Sequence, residues 1–290
     1  MKEIVVISGK GGTGKTSLTA SFAYLGGTEV VVADCDVDAA DMHLLMQPEV
    51  ELEDTFYSGE LAVIDKFNCT QGGKCAQVCR FDAVKLVRGL HHIDPLNCEG
   101  CGYCARVCPV KAITNRKSGV GAWYVSKIRT GSYMVHARLN IGADNSGKLV
   151  AHVKNEAKDI AAEERAEYVI VDGSPGVGCP VVSSLSGASF VVMVTEPTVS
   201  GLHDLKRVYE LVKKFRLKAG CIINKADLNQ EIREEITAYL AGEGILHIAD
   251  LPYDESFTQA MTYGKTIVEY SSGQLKELVS RSWETIKSKV

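Results

Sequence analysis

A glycine-rich segment close to the first residue constrains the fold of this chain more than any other feature. Gly9–Thr16 reads G-K-G-G-T-G-K-T and directly follows the apolar run Ile4–Ser8. The spacing G-x-x-x-x-G-K-[ST] between a strand and a helix is typical of P-loops, in which backbone N–H groups and a helix N-terminus surround phosphate oxygens. In such a loop Lys15 would reach the β- and γ-phosphates, and Thr16 would bind Mg²⁺. The residues that we predict to bind nucleotide here are Gly9, Lys10, Gly11, Gly12, Thr13, Gly14, Lys15, Thr16 and Ser17.

The same glycines also fit a second pattern, G-x-G-x-x-G. Together with Asp34 at the end of the next apolar run, this pattern would indicate a dinucleotide-binding fold. That alternative gives no role to Lys15 and Thr16, and it leaves the acidic end of Tyr168–Asp172 unexplained. We therefore favour a nucleoside-triphosphate site.

Apolar runs alternate with helical patterns along most of the chain. The runs are apolar throughout, as in strands of a parallel sheet covered on both faces. We predict strands at Ile4–Ser8, Val30–Asp34, Tyr168–Asp172, Phe190–Thr195, Gly220–Asn224 and Ile245–Leu251. We predict helices at Lys148–Arg165, His203–Phe215 and Glu231–Glu243. This order indicates an α/β fold with a doubly wound, mostly parallel sheet.

The alternation breaks between about Phe56 and Ser118, where the chain becomes loop-like and rich in cysteine. Seven of its ten cysteines fall within this stretch. An insertion into a continuous domain has this appearance. We predict that residues 1–58 and 119–290 form a P-loop ATPase domain, and that residues 59–118 form an inserted module.

Whole-chain properties exclude several classes of protein. The formal net charge is −4 and no block of Lys and Arg stands out, so a nucleic-acid surface is not indicated. We find no apolar run of about eighteen residues, and we expect a cytoplasmic protein without a signal peptide. An apolar stripe that includes Leu275, Val279 and Trp283 is expected to pack on the domain rather than bind a membrane.

Two cysteine motifs share one spacing. Cys98–Pro109 reads C-x2-C-x2-C-x3-C-P, which is the ferredoxin pattern, whereas zinc sites usually use separated pairs. Cys69–Cys79 has the same spacing, but Gly72 stands at the position of the second cysteine. In this pattern the last cysteine of each motif binds the other cluster. We therefore predict a [4Fe–4S] cluster on Cys79, Cys98, Cys101 and Cys104. The remaining set, which would hold a [3Fe–4S] cluster or a [4Fe–4S] cluster with one iron bound by water or an outside ligand, is Cys69, Cys75 and Cys108.

The other cysteines and the histidines carry weaker signals. Cys35 and Cys221 are expected in the core. Cys179 is expected to pack in a turn. It follows Asp172 by seven residues, and resemblance to the nitrogenase iron protein, in which a cluster-binding cysteine follows an acid at a similar offset, implies the alternative of a cluster or metal between two chains. The histidines, His91 and His92 among them, are expected on the surface or in loops.

The second lysine of the loop, Lys10, makes it a deviant Walker A loop. This loop resembles that of the MinD/ParA/Mrp and nitrogenase iron-protein group of P-loop ATPases. With the cysteine motifs, and with Asn145–Val150, the chain resembles MinD-superfamily ATPases that contain an inserted ferredoxin domain. The resemblance implies an α+β ferredoxin-like insert and a dimer, in which Lys10 of one chain reaches the phosphates of its partner. The alternative for Lys10 is a solvated loop lysine.

The resemblance also assigns roles to acids that follow two of the strands. Asp36 would orient the attacking water, and Asp34 would lie near the Mg²⁺ shell. Asp172, the Walker B acid, would bind Mg²⁺ through water. For Asp38 we expect a solvated turn.

One motif leaves the base open. Asn224–Asp227 reads N-K-x-D, which GTPases use to bind guanine, whereas the ATPase group places an asparagine there against adenine. We favour ATP because of the Lys10-type loop, and we predict that Asn224 contacts the base.

Three functions fit these observations. The first is a homo- or heterodimeric ATPase whose nucleotide state gates electron transfer through the iron–sulfur module to a redox partner. The second is ATP-dependent assembly of iron–sulfur or other metal cofactors, with the clusters as cargo. The third is a positioning switch like MinD or ParA. The sequence does not identify the partner protein.

Overall fold

The computed structural model describes residues 1–37, 40–143 and 146–290 of the 290-residue chain. Asp38 and Asn145, for which we had expectations, lie outside the described residues. The chain forms two compact units.

The first unit contains Met1–Asp54, Trp123–Arg138 and Ser146–Val290. The second contains Thr55–Ala122 and a short segment that begins at Leu139. The sequence predicts an insert at residues 59–118, and the main segment of the second unit is four residues longer than that at each end.

Eleven strands and eleven α-helices cover most of the described residues. The strands are β1 (Lys2–Ser8), β2 (Val30–Asp34), β3 (Glu49–Ile64), β4 (Val84–Val87), β5 (Leu90–Ile93), β6 (Ile113–Lys127), β7 (Tyr133–Leu139), β8 (Tyr168–Asp172), β9 (Phe190–Thr195), β10 (Ala219–Ile223) and β11 (Leu246–Asp250). The helices are α1 (Lys15–Gly26), α2 (Met42–Met46), α3 (Lys74–Val78), α4 (Tyr103–Val107), α5 (Ser146–Glu163), α6 (Cys179–Leu185), α7 (Val199–Lys214), α8 (Gln230–Glu243), α9 (Ser256–Thr262), α10 (Ile267–Tyr270) and α11 (Gln274–Lys287).

Nine strands form one sheet in the order β11-β10-β9-β1-β8-β2-β7-β6-β3. The pairings from β11 through β7 are parallel. The predicted mostly parallel α/β sheet is therefore confirmed. Because β1, β2 and β8 run in one direction, the phosphate loop, Asp34 and Asp172 meet at the same edge, and Asp34 pairs in register with Asp172.

The loop-like prediction for Phe56–Ser118 is wrong at both ends. Strand β3 covers its start and strand β6 covers its end. Both strands have mostly exposed or half-exposed side chains, so they lack the apolar run that marks a buried strand. Strand β7 was also not predicted.

The C-terminal helix α11 packs on the phosphate-loop helix α1. Leu275, Val279, Trp283 and Ile286 are buried in the main core. The ring of Trp283 stacks on Phe22 of α1 with centroids 5.8 Å apart. The prediction that this apolar face packs on the domain is therefore confirmed. Across the described residues, none of the helices combines the length and the apolar character that crossing a membrane would need.

The second unit runs through the end of β3, α3, β4, β5, α4 and the start of β6. Strands β4 and β5 form an antiparallel pair in which Leu86 lies opposite His91. The buried core of this unit is small and consists of Ala62, Cys75, Val84 and Ile113. Other cysteines pack around it.

Candidate nucleotide site and cysteine cavities

The phosphate loop connects β1 to α1, and α1 begins at Lys15. Gly14 adopts a left-handed φ of 88°, and a Cβ there would lie 2.5 Å from Nδ2 of Asn224. A side chain at this position is therefore excluded by both conformation and space. The Asn224 amide donates to the Thr13 carbonyl at 2.8 Å and braces the loop from the end of β10.

A cavity of about 910 Å³ lies against this loop. Its size falls within the range of small-molecule sites. The predicted nucleotide-binding or catalytic residues that line it are Gly11, Gly12, Thr13, Gly14, Lys15, Thr16, Ser17, Asp36 and Asn224. Tyr253 and Phe257, which sequence reasoning did not select, add aromatic surface to the same cavity.

Lys15 is surrounded by carboxylates. Its Nζ lies 2.9 Å from Asp172 Oδ1 and 3.5 Å from Asp36 Oδ2, and the side chain is only 6% exposed. Burial disfavours the charged amine, but the three neighbouring acids outweigh this effect, and the pKa of Lys15 is raised. Lys15 is therefore a positively charged group that is held in place at the N-terminus of α1.

Two buried carboxylates and the Thr16 hydroxyl lie close together at this edge. Asp172 accepts hydrogen bonds from Thr16 Oγ1 at 2.7 Å and from Thr19 Oγ1 at 2.9 Å. Asp34 accepts from the Asp36 N–H at 3.2 Å, while among the described residues its buried Oδ2 has no hydrogen-bond partner. Burial and the nearby Asp172 raise the pKa of Asp34 to about 8. Hard oxygen ligands and repelling carboxylates fit Mg²⁺, which would relieve that repulsion.

Lys10 lies apart from this group, in an ion pair with Glu196. Its Nζ is 2.5 Å from Glu196 Oε1, and it also donates to Thr198 Oγ1 at 3.3 Å and Ser200 Oγ at 3.2 Å. In this structure Lys10 is held in an ion pair and is therefore not a free, solvated loop lysine. It also does not line the nucleotide cavity.

Glu196 also holds a second lysine. Lys225 Nζ lies 2.9 Å from Glu196 Oε2 and donates to the Gly12 carbonyl at 3.3 Å. Burial of Glu196 opposes its ionisation, but the hydrogen bonds from Lys10 and Lys225 outweigh it and lower the pKa of Glu196. Sequence reasoning missed Glu196, whose only signal is an acid directly after β9 at the edge where the nucleotide site lies.

The N-K-x-D segment therefore holds the phosphate loop in place. Asn224 and Lys225 bond to loop carbonyls, and Asp227 Oδ1 accepts from the Tyr253 N–H at 2.6 Å. Contact of Asn224 with a base stays a prediction.

The cysteines of the second unit line two cavities. One, of about 160 Å³, is lined by Cys69, Cys75 and Cys108 together with Gly72 and His91. The other, of about 20 Å³, is lined by the set that contains Cys79, Cys98, Cys101 and Cys104. Each cavity thus combines cysteines of one motif with the last cysteine of the other, which is the grouping that the spacing predicts.

The thiols in each set lie close enough to influence one another. Burial raises the pKa of Cys75, and the thiols of Cys69 and Cys108 act in the same direction. Burial also raises the pKa of Cys104, which lies near Cys98 and Cys101. All ten cysteines are free.

Within the described residues, no group of three or more His, Cys, Asp and Glu side chains is placed to bind one metal ion. Iron–sulfur binding by these residues therefore stays a prediction. His91, expected on the surface or in a loop, instead lies in β5 and is 8% exposed. Cys35 and Cys221 are buried as expected, and Cys179 is exposed at the start of α6.

Comparison with known proteins gives relatives and a family. The chain is 37% identical to an uncharacterized protein of Methanocaldococcus jannaschii over 230 residues, which cover 78% of this chain and 79% of that protein. A second uncharacterized protein of the same organism is 28% identical over 276 residues and 93% of each chain.

Solved structures share the fold at low identity. The septum site-determining protein MinD of Pyrococcus horikoshii, complexed with Mg-ADP, has a TM-score of 0.58 and 19% identity over 99% of this chain and 96% of that one. Cyanothece McdA without nucleotide has a TM-score of 0.60 and 15% identity over 99% of both chains. The family model for the CobQ/CobB/MinD/ParA nucleotide-binding domain matches residues 4–267, and this chain is therefore a member of that family.

Proposed function

We propose that this chain is a dimeric, Mg²⁺-dependent ATPase whose nucleotide state controls iron–sulfur clusters held in the second unit. The nucleotide part is supported by family membership and by the cavity in which Lys15, Thr16 and Asp36 meet. The iron–sulfur part is carried by one observation: each cysteine cavity is lined by the complete set that the crossed ferredoxin spacing predicts.

In the first unit, Lys15 binds the β- and γ-phosphates, which replace Asp172 as its partner. Thr16 and Asp172 would hold Mg²⁺, with Asp34 close by, and the ion would supply positive charge beside the phosphate oxygens. Asp36 lies 3.5 Å from Lys15 and orients the attacking water. Lys10 leaves Glu196 and reaches the γ-phosphate of the partner chain, where a cation stabilises the transition state.

The cysteine unit has a physical reason to need metal. Its buried core contains few side chains, and small units of this kind usually depend on disulfides or metals. Its cysteines are free thiols. Thiolates of a cluster bind different iron atoms and lie farther apart than ligands of a single ion. The lack of a single-ion site in the described residues is therefore compatible with clusters.

Anaerobic reconstitution of the full chain tests the iron–sulfur part. We expect iron and sulfide to bind in similar amounts, Cys104→Ser to lower both, and Lys276→Ala on α11 to leave both unchanged. The midpoint potential of the bound clusters should shift when Mg-ATP is added and stay constant with Mg-ADP. The proposal would be refuted if no iron were bound, or if the midpoint potentials of the clusters were the same with and without Mg-ATP. Rapid ATP-dependent delivery of iron to an apo-ferredoxin would favour cofactor assembly instead.

The dimer part is tested by Lys10→Ala. This variant should bind ATP with nearly parental affinity but hydrolyse it about 100-fold more slowly, since its loss removes a transition-state cation. Lys206→Ala on α7 is the control. Normal hydrolysis by the Lys10 variant would show that the cross-dimer role is wrong. Competition of GTP against a fluorescent ATP analogue identifies the base.

A further inference from the structure

We infer that His91 is the fourth protein ligand of the first cysteine set, binding iron through Nε2 in place of the cysteine that is missing at Gly72. The inference rests on the proposed function. It converts a three-thiolate site into a complete Cys₃His site for a [4Fe–4S] cluster.

The position of His91 is the first argument. The side chain is buried, and it lines the same cavity as Cys69, Cys75 and Cys108. A Cβ on Gly73 would lie 3.6 Å from both Cε1 and Nε2 of His91. The Nε2 edge of the ring therefore lies beside Gly73, the residue that follows the position without the cysteine.

The protonation of the ring is the second argument. The backbone N–H of His91 donates to Gln71 Oε1 at 2.9 Å, and a backbone N–H can only donate, so this atom is the amide oxygen. The same oxygen lies 3.0 Å from Nδ1 of His91. Nδ1 must then carry the proton, which leaves the lone pair on Nε2. A ligating histidine is usually oriented in this way, by a hydrogen bond from its other nitrogen.

The backbone around Gln71 supports this reading. Gln71 has a φ of 58°, in the left-handed region, and the matching residue of the second loop is Gly100 with a φ of 61°. A glycine would adopt this conformation without strain. The first loop instead carries a side chain there, and that side chain holds the imidazole.

The second loop provides the matched comparison. It has Cys101 where the first has Gly72, and opposite its Gly102 lies Asn115, whose Nδ2 would be 3.1 Å from a Cβ at that glycine. An amide nitrogen has no lone pair for iron, whereas a neutral imidazole replaces cysteine in Rieske centres. The loop with its cysteine is thus faced by asparagine, and the loop without it is faced by histidine.

The experiment uses the full chain, reconstituted anaerobically with iron and sulfide and then reduced. With ¹⁴N- and ¹⁵N-histidine labelling, electron–nuclear double resonance should detect one nitrogen coupled to a cluster. His91→Ala should remove the coupling, lower the iron content by one atom per chain and give a [3Fe–4S] signal on oxidation. His92→Ala, on the opposite face of β5, should match the parent, and His91→Cys should restore the iron without the coupling.

The outcomes separate this inference from the proposed function. A parent that binds iron but has no histidine coupling overturns the assignment of His91 and leaves the iron–sulfur function intact. A parent that binds no iron overturns both. Because the labelling experiment needs no substitution, a variant that fails to fold does not affect the test.

Discussion

The two units of this chain prepare their binding groups in different ways. In the first unit the two lysines of the phosphate loop are already paired: Lys15 with Asp172 at 2.9 Å, and Lys10 with Glu196 at 2.5 Å. In the second unit the cysteines line two cavities as free thiols. Burial raises the pKa of Cys75 and therefore favours its protonated form.

The difference predicts how each unit responds to its ligand. A nucleotide exchanges partners with groups that are paired without it, so the first unit can fold empty. Clusters give the thiols their first strong partners and release their protons, so cluster binding contributes to folding of the second unit. Substitutions in one unit should then leave the binding property of the other unchanged.

The largest expected effect is that of Lys15→Ala. It removes the main cation for the phosphates and should weaken nucleotide binding by at least about 100-fold, roughly 3 kcal/mol. Titration with a fluorescent ATP analogue measures it, and Lys276→Ala on α11 is an exposed control. Iron content should equal that of the parent; a parallel loss of iron would break the comparison between the units.

Asp36→Ala should affect turnover more than binding. Without the group that orients water, hydrolysis should fall on the order of 100-fold while the phosphate loop remains intact. A dimer should therefore persist with ATP, which size-exclusion chromatography can follow. If the parent dimerises with ATP and this variant stays monomeric, Asp36 has another role.

Gly72→Cys sharpens the comparison within the second unit. A Cβ at this position meets no atom within 4 Å, so a cysteine has room. The variant should hold a four-thiolate cluster in the first site, so the histidine nitrogen coupling of the parent should disappear. Gln77→Cys adds an exposed thiol to α3 as a control. An unchanged coupling would mean that position 72 does not face the cluster.

Glu196→Gln should give the smallest effect. Its ion pairs with Lys10 and Lys225 are partly exposed, and such pairs contribute at most about 1 kcal/mol. Releasing Lys10 for the partner chain should raise ATP hydrolysis about two- to five-fold, as measured by phosphate release. Glu210→Gln on α7 is the control. A fall in the rate would mean that Glu196 acts in catalysis rather than by retaining Lys10.

Burial explains how much of the fold the sequence predicts. Val30–Asp34, Tyr168–Asp172 and Phe190–Thr195 have the predicted bounds, because each strand is buried on both faces and is apolar throughout. Strand β3 has no such run, since nearly all of its side chains are at least partly exposed. It lies at the edge of the sheet beside β6, so its partner strand is far away in sequence.

The same distinction holds for the sites. Lys15, Thr16 and the cysteines belong to motifs whose spacing is visible along the chain. Glu196 and His91 can be assigned roles only from their contacts with Lys10 and Gln71, which lie in other parts of the chain. Spacing cannot predict such contacts, because they depend on which strands lie side by side.

The packing of Trp283 makes the phosphate loop optically observable. This indole is 2% exposed and stacks on Phe22, two turns along the helix that Lys15 begins. Any shift of that helix on phosphate binding would change the surroundings of the ring. The chain contains two tryptophans, so Trp123→Phe leaves Trp283 as the sole source of indole emission. Phosphate binding to the loop could then be followed by the emission of Trp283, without an added label.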